Sequence, residues 1–135
     1  MNGKKDYLCP TCKAMLRIGD YVVLVAKKKE DPDKAGILLL SPEIGNYKII
    51  KHEDFELKDG EHISFHCPAC STSLSSDSVK NDLAKLLMLD EENNAFEISF
   101  SEIAGKHSTY KVSIEDNDTE LFGDDYAEYA SYFNL

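Results

Sequence analysis

The sequence predicts an α+β fold, namely a mainly antiparallel β-sheet with one amphipathic helix and a short C-terminal helix. Short β-rich runs separated by turn residues dominate the first half of the chain. Apolar residues then recur at helical spacing after residue 76, and an aromatic stripe marks the end of the chain. A length of 135 residues, 42% of them apolar, fits a single domain over residues 1–135.

The strands are predicted from runs of β-branched and aromatic residues bounded by turn residues. Up to the second Cys pair these runs cover residues 21–26, 36–40, 47–51 and 63–65. Residues 30–34 form a predicted turn cluster. Asp59-Gly60 lies between two alternating runs and predicts a hairpin. Further along, residues 96–100 and 110–114 alternate around Gly105-Lys106 and predict a second hairpin.

The two helices are predicted in the segment 76–135. Val79, Leu83, Leu86 and Leu87 share one helical face, and a cap is available at residues 76–78. Residues 90–94 would end this helix. The terminal helix spans 124–133, with an aromatic side that would pack on the sheet or, as the alternative, present a patch to a partner. That side contains Tyr126, Tyr129, Ala130 and Phe133.

A short motif containing all four cysteines occurs twice. Both copies read aromatic-x-Cys-Pro-x-Cys-x-x-x-Leu, the first from Tyr7 and the second from Phe65. Two cysteines separated by two residues can reach one metal ion from a tight turn, and zinc favours four thiolates in tetrahedral geometry. The sequence therefore predicts one shared structural Zn²⁺ site, with ligands Cys9, Cys12, Cys67 and Cys70. His66, next to Cys67, is a possible fifth ligand or hydrogen-bond partner, although a plain strand histidine is favoured.

The two Cys-Pro-x-Cys turns, Cys9-Pro10-Thr11-Cys12 and Cys67-Pro68-Ala69-Cys70, resemble the knuckles of the zinc-ribbon or rubredoxin-like class. The resemblance implies that the four cysteines hold one zinc ion, and it covers about twenty residues directly. We predict residues 1–75, which contain both turns, as a zinc-ribbon-like β part. Residues 76–135 would then add the helix, the hairpin and the terminal helix. Knuckles of this class usually carry glycine after the second cysteine, where this chain has Lys13 and Ser71.

Two rival uses of the cysteines are weighed against structural zinc. An iron site would make a one-electron carrier and needs backbone N–H groups aimed at the sulfurs. A Cys-Pro-x-Cys pair also resembles the glutaredoxin active site, but thiol–disulfide chemistry needs a helix that starts at the cysteine. The first pair precedes a predicted strand, and a serine-rich stretch follows the second. A thiol-based redox protein is therefore an alternative to a noncatalytic zinc-stabilised binding module, with no catalytic residues assigned.

The charge distribution bears on partners. The net charge is −10, yet residues 1–30 sum to +4, and no lysine or arginine follows Lys111. This balance disfavours a nucleic-acid-binding zinc ribbon without excluding a local basic patch. A protein partner is expected, and a homo-oligomer joined through oppositely charged ends is possible. No signal peptide or membrane-spanning stretch is recognised, so a cytoplasmic location is expected.

Overall fold

The computed structural model describes residues 5–76, 82–116 and 118–123, and these residues form ten β-strands. The first half of the chain contributes β1 to β5 and the second half β6 to β10. Their bounds are β1 Asp6–Leu8, β2 Arg17–Ile18, β3 Tyr21–Lys28, β4 Asp31–Leu40, β5 Ile49–Lys51, β6 Ile63–His66, β7 Leu83–Leu89, β8 Ala95–Ser101, β9 Thr109–Ser113 and β10 Thr119–Phe122. No helix long and apolar enough to span a bilayer occurs in the part of the chain that the structure describes.

The strands form two antiparallel sheets. Sheet I has the order β1-β7-β8-β9-β10. Sheet II has the order β2-β3-β4-β5, with β6 paired to β3. Each sheet therefore contains one strand from the other half of the chain, because β1 joins the second half and β6 joins the first.

The two halves repeat the same pairing. Tyr7 of β1 lies opposite Met88, and Phe65 of β6 lies opposite Ala26, so the aromatic residue that opens each Cys motif occupies the same place. The equivalence continues after each motif. The backbone N–H of Leu16 donates to the carbonyl of Tyr7 at 2.7 Å. The N–H of Leu74 donates to the carbonyl of Phe65 at 2.9 Å.

Further equivalences follow from this register. Val23 N–H donates to Leu16 O and Lys85 N–H to Leu74 O, so β3 and β7 correspond. Leu24 pairs with Leu38 in β3–β4, as Leu86 pairs with Ile98 in β7–β8. The chain therefore contains an internal repeat. The first strand of each half, β1 or β6, pairs within the sheet formed by the other half.

One core connects the two sheets. Alternate residues of β3 and β7 point inward and are buried, as expected for strands with one face on a core. The buried cluster combines Val22, Leu24 and Leu38 of sheet II with Leu86, Met88 and Ile98 of sheet I. Cys9 and Cys67 belong to the same cluster, which places the Cys turns at the edge of the core.

The α+β prediction is wrong, because the described residues are all β. Leu83, Leu86 and Leu87 lie on β7 and not on a helix. Leu83 and Leu86 are both buried, on opposite faces of that strand. Over so short a length, a strand with leucines on both faces also matches helical spacing. Val79 and the predicted terminal helix, 124–133, lie outside the described residues.

The segment predicted to end that helix instead forms the β7–β8 turn. Asp90 Oδ1 accepts from the backbone N–H groups of Glu92 and Asn94, both at 2.9 Å. Asn93 takes a positive φ of 64°, which asparagine tolerates better than most residues. The predicted hairpin over 96–100 and 110–114 is confirmed as β8 and β9.

Two local predictions in the first half fail. Residues 30–34 were predicted as a turn, whereas β4 already begins at Asp31 after a tighter turn at Lys29-Glu30. Asp59-Gly60 forms a turn, but it does not join a hairpin, because β6 pairs with β3. The two errors have different causes. Residues 31–34 extend the local β3–β4 pairing, which closes at Lys28 and Asp31, whereas at Asp59-Gly60 pairing of β6 with the distant β3 outweighed the local turn signal.

Candidate metal centre

Each Cys-Pro-x-Cys turn is closed by the same pair of backbone hydrogen bonds. In the first turn Lys13 N–H donates to Cys9 O at 2.9 Å, and Cys9 N–H donates to Ala14 O at 3.1 Å. In the second turn Ser71 N–H donates to Cys67 O at 2.9 Å, and Cys67 N–H donates to Thr72 O at 3.0 Å. The two turns are therefore equivalent parts of the internal repeat.

The residue after each motif has the backbone conformation that usually favours glycine. Lys13 has a φ of 63° and Ser71 a φ of 65°. A non-glycine residue in this region stores of order 1–3 kcal/mol of strain, which the surrounding turn must hold. Lys13 and Ser71 thus stand where the knuckle pattern usually has glycine, and they adopt the backbone conformation that glycine favours.

The turns bring all four predicted ligands together. The four sulfur atoms lie within 4.8 Å of one another. Cys9 Sγ is 3.8 Å from Cys70 Sγ, and Cys12 Sγ is 3.7 Å from Cys67 Sγ. Four thiolates at about 2.3 Å from a tetrahedral zinc ion would lie about 3.8 Å apart. The spacing therefore fits a metal ion with four sulfur ligands.

Backbone donors point at the sulfurs that lie deepest. Cys9 Sγ accepts from the N–H groups of Thr11 at 3.4 Å and Cys12 at 3.5 Å. Cys67 Sγ accepts from the N–H of Ala69 at 3.3 Å. Such donors stabilise negative charge on sulfur and orient the ligand, so they favour thiolates bound to a cation.

The four cysteines differ in exposure, and the pKa values of Cys12 and Cys70 shift in opposite directions. Cys9 and Cys67 are buried, Cys70 is half-buried and Cys12 is exposed. Hydrogen bonds from the Thr72 side chain and backbone lower the pKa of Cys70 to about 6. For Cys12, a backbone hydrogen bond from Ala14 lowers the pKa, but desolvation and the neighbouring thiols outweigh it and raise the pKa to about 11. Four such close thiolates repel one another unless a cation neutralises them.

His66 does not join the sulfur cluster. Its Nε2 lies 2.9 Å from Ser64 Oγ, and its Nδ1 lies 3.4 Å from the carbonyl oxygen of Ser71. It therefore contacts the backbone of the second turn and supports the turn from outside, which agrees with the favoured interpretation as a strand histidine.

Two features of the site region were not predicted. Thr72 Oγ1 lies 3.2 Å from Cys70 Sγ, a contact that follows from the turn geometry and that spacing alone does not reveal. Glu102 is buried, and its carboxylate contacts His62 Nε2 at 2.9 Å and Ser75 Oγ at 2.8 Å. Two isolated bridges, His62 with Ile103 and Ser75 with Ala84, bring these residues together, and sequence spacing does not reveal either bridge.

The site defines a class in coarse terms, a four-cysteine cluster able to hold a metal ion in the manner of a zinc knuckle. Comparisons with protein-family models, curated proteins and solved structures give no match to the chain. The assignment to a metal-binding cluster therefore depends on the sulfur geometry itself.

Proposed function

We propose that the chain is a noncatalytic binding or regulatory module, stabilised by one structural Zn²⁺ ion and acting through a protein partner. The observation that carries the metal part is the near-tetrahedral spacing of Cys9, Cys12, Cys67 and Cys70. Four protein thiolates complete the coordination that zinc prefers, so no position is left for substrate or activated water. The ion would link the two halves of the repeat and contribute to folding directly.

The exposed face of sheet II supports a protein partner. Ile37 pairs with Val25 and Leu39 pairs with Ile50, so these side chains lie together on the face away from the core. Ile37 and Ile50 are each 49% exposed. An exposed apolar surface on a sheet is typical of a protein contact.

The redox alternative has less support. Thiol–disulfide catalysts place the reactive cysteine at a helix N-terminus, which lowers its pKa. Each Cys pair here lies in a turn that returns to extended backbone, and no helix occurs within residues 5–76, 82–116 and 118–123. The backbone hydrogen bonds to Cys9 and Cys67 do not favour the redox alternative, because they would stabilise a metal-bound thiolate as well as a reactive one.

Nucleic-acid binding is also disfavoured, because two cations of the basic N-terminal part are already paired. Arg17 contacts Asp6 at 3.1 Å, and Lys28 contacts Glu61 at 2.7 Å. The remaining lysines would have to overcome the net charge of −10 to hold a phosphate backbone.

Metal analysis of the purified protein tests the metal part. We expect one zinc ion per chain and no native thiol labelling until a chelator is added. Bound iron, with the visible absorption of an iron–thiolate centre, or rapid labelling of the metal-loaded protein, would contradict the proposal.

Affinity capture with a matched pair of variants tests the partner. Ile37→Glu is expected to abolish a specific capture that wild type shows. Ile114→Glu is the control, because Ile114 is also 49% exposed but lies just beyond β9 in sheet I. Equal capture by wild type and Ile37→Glu would remove the sheet II face from the proposal. Self-association lost only in Ile37→Glu would identify the partner as a second copy.

A further inference from the structure

A cavity of about 370 Å³ lies between the two sheets. Its walls are mainly apolar, and they come from the inward faces of both halves of the repeat. They include Val22, Leu38, Leu40, Leu86, Ile98 and Phe100. The volume is within the range of small-molecule sites, which are usually apolar clefts with a few polar groups at one end.

The cavity is separate from the metal centre. Tyr7 and Phe65 contribute to its lining, and each precedes a cysteine by two residues, but none of the four cysteines lines it. The Tyr7 hydroxyl donates to Pro42 O at 2.6 Å, so this polar atom is already satisfied. The base of the cavity is therefore apolar.

Polar groups gather where the cavity opens. Tyr47 and His107 stack in parallel there, with ring centroids 4.4 Å apart, and Tyr47 Oη lies 2.8 Å from Thr109 Oγ1. Lys51 lies opposite Leu38 in the sheet, so both side chains point to the cavity side. Lys48 also lines the opening.

Lys51 is the cation best placed to meet a ligand. It is half-buried, and none of the carboxylates in the described residues forms an ion pair with it. Glu102 also lines the cavity, but His62 and Ser75 satisfy its carboxylate. The remaining acidic lining residues, Glu43 and Asp59, are exposed to solvent at the rim. A partly desolvated, unpaired ammonium favours an anionic group beside it.

We propose that this cavity binds a small amphipathic carboxylate. The apolar chain of the ligand lies between the sheets, against Leu38, Leu40 and Ile98, and its carboxylate meets the ammonium of Lys51. Binding requires no bond to form or break. The site is independent of the metal-dependent role proposed above.

Octanoate is the probe, and 1-octanol, with the same chain and no charge, is its comparison. Titration of the zinc-loaded full chain is followed by amide chemical shifts. We expect saturable binding of one octanoate per chain, shifts that cluster at the cavity lining, and weaker binding of 1-octanol.

Two variant pairs locate the site. Leu40→Trp fills the cavity and is expected to abolish octanoate binding, whereas Leu39→Trp, its neighbour on the outer face, is expected to preserve it. Lys51→Met is expected to weaken octanoate about fivefold, as for a partly exposed ion pair, and to leave 1-octanol unchanged. Lys111→Met is the control for the loss of one charge. Lys111 lies opposite Ile98 as Lys51 lies opposite Leu38, but its ammonium lies over the Phe96 ring, 4.4 Å from the centroid, and it does not line the cavity.

The outcomes separate the parts of the proposal. Zinc content and amide dispersion show whether each variant is folded, and Leu38→Phe replaces Leu40→Trp if that variant is not. Absence of octanoate binding, or equal binding by the filled variant, would overturn the cavity as a ligand site. Equal affinity for octanoate and 1-octanol, unchanged in Lys51→Met, would overturn the carboxylate assignment.

Discussion

The change in the free energy of unfolding caused by Cys12→Ser shows whether Cys12 is a metal ligand or a free thiol. Cys12 is the most exposed of the four cysteines. A surface substitution without special partners changes the free energy of unfolding by about 0.5 kcal/mol or less. If Cys12 is one of four zinc ligands, the same substitution weakens metal binding, and release of the ion then opens the link between the two halves and costs far more.

The size of that cost follows from the length of chain that the link closes. Cys12 and Cys67 lie 55 residues apart in sequence, with their sulfurs 3.7 Å apart. The chain-entropy relation for cross-links gives about 4 kcal/mol for a closed loop of this length. This applies to a metal link as to a disulfide, because both restrict the unfolded chain. The expected loss for Cys12→Ser is therefore about 4 kcal/mol if the three remaining thiols release the ion, and smaller if they retain it.

Urea unfolding of the zinc-loaded protein, with and without a chelator, measures this loss. Wild type is expected to be destabilised by the chelator, whereas Cys12→Ser, already lacking the full ligand set, is expected to respond little. Thr11→Ala is the matched control, because Thr11 is exposed in the same turn and contributes no ligand. A Cys12→Ser protein that kept one zinc ion and wild-type stability would refute the shared site.

Three further predictions address the turns and the core. Ser71→Gly relieves the positive φ of 65° and is expected to raise the free energy of unfolding by about 1 kcal/mol at unchanged zinc content; a loss of stability in urea unfolding would contradict this. Leu24→Ala and Leu86→Ala occupy equivalent buried positions, and each is expected to cost 2–5 kcal/mol in the same assay; a cost near zero for either would contradict the shared core. Asp90 has a pKa below 3.8, because backbone N–H groups, foremost that of Asn94, stabilise its carboxylate. Its folded pKa is thus the lower one, so the destabilisation by Asp90→Ala should be complete above pH 3.8 and shrink as the pH falls through the folded value; carboxyl NMR checks that pKa.

The clustering of the four cysteines was predictable because its signal is local. Each motif contains both cysteines of a turn, and the repeat of the motif implies one shared ion. The four sulfurs do lie together, within 4.8 Å. The positive φ at Lys13 and Ser71 could not be predicted from residue type, since neither residue favours that conformation. It follows from the backbone hydrogen bonds that close each turn.

The fold class was not predictable in the same way. The inward face of β7 contains Ala84, Leu86 and Met88, and Leu83 is buried on its other face. Over seven residues this pattern satisfies both a strand and a helix, and only the partners decide between them. Those partners are β1, from the beginning of the chain, and β8. Local sequence contains no information about the first of these.

The exchange of first strands explains why the four-cysteine cluster lies where the two sheets meet. β1 leads into the first Cys turn from sheet I, and β6 leads into the second from sheet II. Each turn then returns its chain to the opposite sheet, because the residues after it lie beside β3 and β7. A metal ion between the turns would therefore join the two sheets and the two halves at one point. The described residues thus form one core without a helix: the exchanged strands bury the aromatic residue of each motif, and the four-cysteine cluster lies where the two halves cross.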